Sequence, residues 1–125
     1  MARILLAEDE DSLRGYILRG LAEDGHEVVA ATDGAAALDK LTRDQGRFEL
    51  LLTDIRMPVM DGIALALAAA RDHPDLMILL MTGFADQRER AHGLDALIYD
   101  VITKPFSIPE IKLAVNEALA AKTRR

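Results

Sequence analysis

The chain is 125 residues long, carries 21 acidic against 15 basic side chains for a net charge of -6, and contains no cysteine. A length of this size matches one domain, with a core large enough to stand without disulfides or a structural metal. The missing cysteines exclude disulfide frameworks, thiolate zinc sites and thiol catalysis, and the acid excess argues against a sequence-independent grip on nucleic acid.

The first apolar run, Ile4-Leu5-Leu6-Ala7, meets Glu8 at once and is too short for a signal peptide or a membrane span. The chain therefore reads as a soluble, cytoplasmic protein, one domain over residues 1–125, with neither nucleic acid nor membrane as a partner. Glu8-Asp9-Glu10-Asp11 closes the first strand. Taken alone it is a solvated acidic turn, with Asp11 or Ser12 capping the helix that follows. Leu13, Tyr16, Ile17 and Leu21 predict the buried face of that helix, with Gly20 in the stripe and Gly25 as the stop. Val28-Val29-Ala30-Ala31 predicts a second strand, and Asp33 caps a second helix that carries Leu38 and Leu41 and ends near Gly46. Leu50-Leu51-Leu52 predicts a third strand leading into Thr53-Asp54. Asp61 caps a third helix, with Ile63, Ala66, Leu67 and Ala70 on its buried face and His73-Pro74 at its end.

Met77-Ile78-Leu79-Leu80-Met81 predicts the fourth strand, followed by Thr82-Gly83. Residues 85–94 predict a helix that is polar nearly all round, marginal and mobile, with Phe84 before it as an exposed or half-buried contact. The fifth strand falls at 98–102 and leads into Thr103-Lys104-Pro105. Ser107-Ile108-Pro109-Glu110 is a capping box, and Ile111, Ala114, Val115, Ala118 and Leu119 form the buried stripe of a last helix. That helix finishes near Lys122, where Lys122, Arg124 and Arg125 cap its end and Ala120-Ala121 complete its last turn.

Short apolar runs alternating with helical patterns predict an α/β fold: five parallel strands in one sheet, with helices on both faces. Ligands in such sheets collect at the carboxyl ends of the strands. Those ends carry Glu8 and Asp9, Asp54, Thr82 and Lys104, so acids, a hydroxyl and an ammonium converge on one edge. Three carboxylates side by side repel unless a cation sits among them, and hard oxygen ligands suit Mg²⁺. With Lys104 and Thr82 facing the oxygens of an incoming phosphoryl group, one carboxylate can serve as nucleophile and form an acyl phosphate. No GxGxxG or GxxxxGK[ST] loop follows the first strand, so nucleotide binding has no cradle. His26, His73 and His92 lack metal-ligand spacing; they mark polar turns and a helix end.

Glu8-Asp9 after ILLA, Asp54 inside LLTDIRMPVMDG, Thr82 in LLMTG and Lys104-Pro105-Phe106 in TKPF resemble the receiver domain of two-component response regulators, over essentially the whole chain. The resemblance implies the CheY-like (βα)5 fold and Asp54 as phosphoacceptor. It implies Asp9 and Asp54 as direct Mg²⁺ ligands, Glu8 acting through water, and the backbone carbonyl of Arg56 as a main-chain ligand. Thr82 becomes the switch hydroxyl, Lys104 the ammonium that meets the phosphoryl group, and the Lys104-Pro105 peptide cis. Met57, Pro58 and Gly62 match the turn after the acceptor. One position departs: receivers place Tyr or Phe where this chain has Val101, and Tyr99, on the same side of the strand by alternation, is the candidate substitute. Gly83 puts no side chain beside Thr82, which implies easy access of water to an acyl phosphate.

The resemblance also implies a self-phosphorylating signalling module rather than a free-substrate enzyme, with no output domain. A histidine kinase or histidine phosphotransfer protein stands upstream and a protein effector downstream. Within the family, MARILLAEDE, LLTDIRMPVMDGI, MTGFA and VITKPFSIPEI are most similar to stand-alone regulators that prime the ClpX unfoldase of the ClpXP protease when unphosphorylated. A phosphate relay or sink, and a receiver-shaped interaction module that is never phosphorylated, are the alternatives.

Overall fold

The computed structural model describes residues 2–44, 47–83, 91 and 93–123. The strands are β1 (Arg3–Ala7), β2 (Glu27–Ala31), β3 (Leu50–Asp54), β4 (Met77–Thr82) and β5 (Asp100–Thr103). The helices are α1 (Asp11–Glu23), α2 (Gly34–Arg43), α3 (Gly62–Asp72) and α4 (Ile108–Thr123). All strand pairs are parallel, in the order β2-β1-β3-β4-β5. No helix among the described residues is long and apolar enough to cross a membrane.

The three uninterrupted apolar runs became the three inner strands, because an inner strand of a covered parallel sheet must be apolar on both faces. Alternate side chains then feed two cores. Leu5, Leu51, Ile78 and Leu80 pack with Ala37 and Leu41 of α2 and Leu65, Ala66 and Ala69 of α3. Ile4, Leu6, Leu50, Leu52, Leu79 and Met81 pack on the other face with Ile17 and Leu21 of α1 and Ile111, Val115 and Ala118 of α4. The edge strands β2 and β5 are only partly buried. At the amino-terminal rim, Arg3 pairs with Glu27 and Asp44 and lies 4.3 Å over the Phe48 ring.

Capping follows the side-chain chemistry closely. Asp33 accepts the Ala36 N–H at 2.8 Å and Asp61 accepts the Ala64 N–H at 2.9 Å. The Ser107–Glu110 box is reciprocal, with the Ser107 N–H donating to Glu110 at 3.0 Å and the Glu110 N–H donating to Ser107 Oγ at 3.2 Å. The α1 cap is different: Glu10 holds the position without a side-chain bond, and Asp11 is already the first helical residue.

Several faces and ends differ from the sequence expectation. Tyr16 is 42% exposed, since it stands about 100° around α1 from Ile17 and falls off the edge of the stripe. On α3 the buried set is Gly62, Leu65, Ala66 and Ala69, one position away from the expected face, and Leu67 is 45% exposed. That helix is apolar nearly all round, so periodicity cannot choose its rotation. Gly62 does, because any Cβ there would come 2.0 Å from the Asp54 carbonyl oxygen. β5 begins at Asp100 rather than Ile98. Lys122 donates to the Asp75 carbonyl instead of capping its own helix. His26 is no simple turn residue: its Nδ1 accepts the Ala2 N–H at 3.0 Å, and its Nε2 is buried with no hydrogen-bond partner among the described residues. The helix expected over 85–94 falls largely outside the described residues, as do Phe84, His92, Gly46, Arg124 and Arg125. Ala91 and Leu94 are described and pack on the α2–α3 core.

Candidate functional site

Parallel register brings four strand ends to one edge. Asp54 is the last residue of β3 and Thr82 the last of β4, while Glu8 follows β1 and Lys104 follows β5. The Glu8 N–H donates to the Ala31 carbonyl at 3.1 Å, which carries the β1–β2 ladder one residue past the strand. The Lys104 N–H donates to the Thr82 carbonyl at 2.8 Å, tying the ammonium-bearing residue to the hydroxyl-bearing one. The Lys104-Pro105 peptide is cis.

Glu8 is 1% exposed and Asp54 6%, so both acids sit inside the sheet edge. Asp9 is exposed. One carboxylate oxygen from each of Glu8, Asp9 and Asp54 lies within 4.8 Å of the others. The Lys104 ammonium reaches Glu8 Oε1 at 3.3 Å and Asp54 Oδ1 at 3.2 Å. Glu8 Oε2 accepts the Glu10 N–H at 2.9 Å. Burial pushes the Glu8 carboxyl above the usual range and the Asp54 charge adds to it, while the Glu10 N–H opposes. Burial likewise pushes Asp54 up, with Lys104 opposing and Asp9 adding. For Lys104, burial is the largest influence and acts downward, but Asp54 and Glu8 together outweigh it and raise its pKa. One ammonium among three carboxylates leaves net negative charge in a half-buried, oxygen-only site. That donor set fits a hard divalent cation such as Mg²⁺.

The loop after Asp54 is held from several sides. The Gly62 N–H returns to the Ile55 carbonyl at 2.7 Å, and Thr53 Oγ1 donates to the Asp54 carbonyl at 2.9 Å. At Gly34 a Cβ would come 2.2 Å from the Met60 carbonyl oxygen, so the start of α2 and this loop touch backbone to backbone. The Met60 N–H donates to the Pro58 carbonyl at 2.7 Å around Val59, which has φ of 69° and is 84% exposed. A β-branched residue in that region stores strain of about 1–3 kcal/mol. Arg56 lies in the same turn with an exposed side chain.

The structure thus gathers Glu8, Asp9, Asp54, Thr82 and Lys104 at one edge and puts Arg56 in the turn beside them. Val101 is half-buried against the α2–α3 core. Tyr99 precedes β5 at the far end from Thr82, is 41% exposed and borders a cavity of about 350 Å³ with Leu97, Pro74 and Ala121. Two features escaped the sequence reading. The turn at Val59 has no signal in a residue type that normally avoids positive φ. Arg14, which bonds the Glu8 carbonyl at 3.0 Å and the Asp11 carboxylate at 2.6 Å, was signalled by its i,i+3 spacing from Asp11.

The chain is similar to known proteins along nearly its whole length. The family model of the response regulator receiver domain matches residues 4–116. The response regulator receiver protein CpdR of Brucella abortus is 38% identical over 121 residues, covering 97% of this chain and 99% of that protein. The response regulator MprA of Mycobacterium avium is 36% identical over 122 residues, and the chain spans 52% of its length. Among solved structures, a receiver domain protein of Clostridium thermocellum superposes with a TM-score of 0.89 over 98% of both chains at 24% identity, a likeness of fold. TrrA of Thermotoga maritima, solved in complex with Mg²⁺ and BeF, gives a TM-score of 0.83 at 29% identity, covering 94% of this chain and 99% of that one. A matched family model across nearly the whole sequence, on the five-stranded parallel sheet of CheY-like proteins, places the chain in the response regulator receiver domain family, a signalling module of two-component systems.

Proposed function

We propose that Asp54 accepts a phosphoryl group in a Mg²⁺-dependent reaction, and that the chain acts as a stand-alone regulator by phosphorylation-controlled contact with a protein partner. The observation that carries this reading is the placement of Asp54 Oδ1 at 3.2 Å from Lys104 within the Glu8–Asp9–Asp54 cluster. Asp9, Asp54 and the Arg56 backbone carbonyl would hold the cation directly, with Glu8 acting through water. Bound there, Mg²⁺ supplies charge neutralisation for the phosphoryl oxygens. An Asp54 carboxylate oxygen attacks the phosphorus of a histidine-phosphorylated donor. The new P–O bond forms as the N–P bond breaks, the electron pair stays on the imidazole nitrogen, and that nitrogen takes up a proton. Lys104 exchanges part of its contact with Asp54 for a phosphoryl oxygen, and the Thr82 hydroxyl donates to another. Catalysis of this kind is positioning and charge stabilisation.

Upstream, the donor is a histidine kinase or a histidine phosphotransfer protein. Downstream, similarity to CpdR over 99% of that protein supports an adaptor role toward the ClpX unfoldase of ClpXP, with the unphosphorylated form active. A phosphorylation switch requires different affinities in its two states. Purified ClpX should therefore bind Asp54→Ala constitutively and release the wild type loaded with Mg²⁺ and beryllofluoride. Folded Asp54→Ala that fails to bind, or equal binding of both wild-type states, contradicts the adaptor reading and leaves a relay or sink.

A further inference from the structure

We propose that Arg14 is a positioning residue for the acidic site: its guanidinium, fixed between the Glu8 carbonyl oxygen and the Asp11 carboxylate, holds the intervening turn so that Asp9 stays within reach of the cation shared with Glu8 and Asp54. This rests on the Mg²⁺ reading given above.

Four carboxylates follow one another from Glu8 to Asp11, and Asp54 lies against the first two. Lys104 answers that charge from the sheet side, at 3.3 Å from Glu8 and 3.2 Å from Asp54, while Asp9 stands exposed. Repulsion therefore drives the exposed Asp9 turn outward, away from the two buried acids. Three bonds oppose that movement. The Glu10 N–H donates to Glu8 Oε2 at 2.9 Å, Arg14 Nη1 donates to the Glu8 carbonyl at 3.0 Å, and Arg14 Nη2 donates to Asp11 Oδ1 at 2.6 Å.

The Arg14 side chain is 19% exposed while Asp11 is 89% exposed, so the two halves of this clamp are unequal. The bond to Asp11 is a solvent-screened pair at i,i+3 spacing and contributes little. The bond to the Glu8 carbonyl fixes the peptide that joins the two acids, and it sets the direction in which Asp9 leaves the strand. The Glu8 carbonyl is met by a planar guanidinium whose terminal nitrogens lie one bond farther from the backbone than a lysine ammonium, so lysine holds that carbonyl less well. Outer groups of this kind orient metal ligands without touching the metal.

The test is Mg²⁺ binding to the full chain by titration calorimetry, with Arg14→Gln, Arg14→Lys and Asp11→Asn beside the wild type. Loss of Arg14 should raise the Mg²⁺ dissociation constant about tenfold in Arg14→Gln. Arg14→Lys should fall between that variant and the wild type, and Asp11→Asn should change little. Phosphorylation by acetyl phosphate should need correspondingly more Mg²⁺ in Arg14→Gln and should recover at saturating Mg²⁺. A folded Arg14→Gln with wild-type Mg²⁺ affinity overturns the proposal. So does a loss of phosphorylation that saturating Mg²⁺ leaves unrepaired. If Arg14→Gln does not fold, Arg14→Lys decides the matter alone: wild-type affinity in that variant overturns the proposal. A wild type that binds no Mg²⁺ removes the functional reading itself, and the proposal with it.

Discussion

Glu8 and Asp54 are carboxylates kept almost out of water, with Lys104 as the cation between them. Their pKa values in the folded chain lie above the ordinary range, chiefly through burial, which makes their ionised forms a burden on folding in the absence of metal. The sign follows from linkage. A raised carboxyl pKa in the folded state leaves stability intact where both states are protonated. Stability is then lost as the pH rises through the unfolded value toward the folded one. Metal-free Glu8→Gln and Asp54→Asn should therefore melt a few degrees above the wild type near pH 7, with the gap closing as the pH falls toward about 4. Thermal melts in chelator across that range check this, and equal or lower melting temperatures at neutral pH contradict it. At this scale the acids themselves were legible in the sequence, because chemistry-bearing residues stood directly after apolar runs. Which of them would be buried was not, since Asp9 and Glu8 are adjacent and yet face opposite environments.

The elements show where sequence periodicity decides a structure and where it does not. The last helix was legible in its start and its buried face, because Ser107, Pro109 and Glu110 specify its start and polar residues interrupt its apolar stripe on the outer side; its end was not, since Lys122 turns to the Asp75 carbonyl. The helix after Asp54 was legible in its start at Asp61 and its end at His73, but not in its rotation. Seven of its eleven residues are alanine or leucine on every side, and the choice falls to Gly62 against the Asp54 backbone, a contact between positions that only the fold brings together. Substitution separates the two faces. Leu65→Ala removes a fully buried side chain and should cost about 2–5 kcal/mol, whereas Leu67→Ala, at an exposed position, should stay within about 0.5 kcal/mol. Denaturant unfolding of the two variants checks the rotation, and the reverse order of destabilisation contradicts it. The acidic turn before α1 is an intermediate case: its composition was plain, but Glu10 rather than Asp11 or Ser12 occupies the cap, because Arg14 N–H already finds the Glu10 carbonyl at 2.9 Å.

For the whole molecule, one sheet with two cores does the positioning. Side chains that alternate along the inner strands fill the space under α1 and α4 on one face and under α2 and α3 on the other. The carboxyl ends of the strands are left to carry the acidic cluster and its ammonium, which is why residues as far apart as Glu8 and Lys104 meet. That convergence was readable from the residues that follow each apolar run, once the strands are taken as parallel. The bonds that steady it, from Arg14 behind the acids and from the Gly34 and Gly62 contacts around the acceptor loop, depend on backbone approach and were not. The proposed switch depends on Asp54 as a metal-dependent phosphoacceptor. Intact-mass measurement of the wild type after incubation with acetyl phosphate and Mg²⁺, beside Asp54→Ala and a chelator-treated sample, tests that claim most directly. The account predicts the gain of a single phosphoryl group by the wild type and none by either control. An unmodified wild type, or an equal gain by Asp54→Ala, would contradict it.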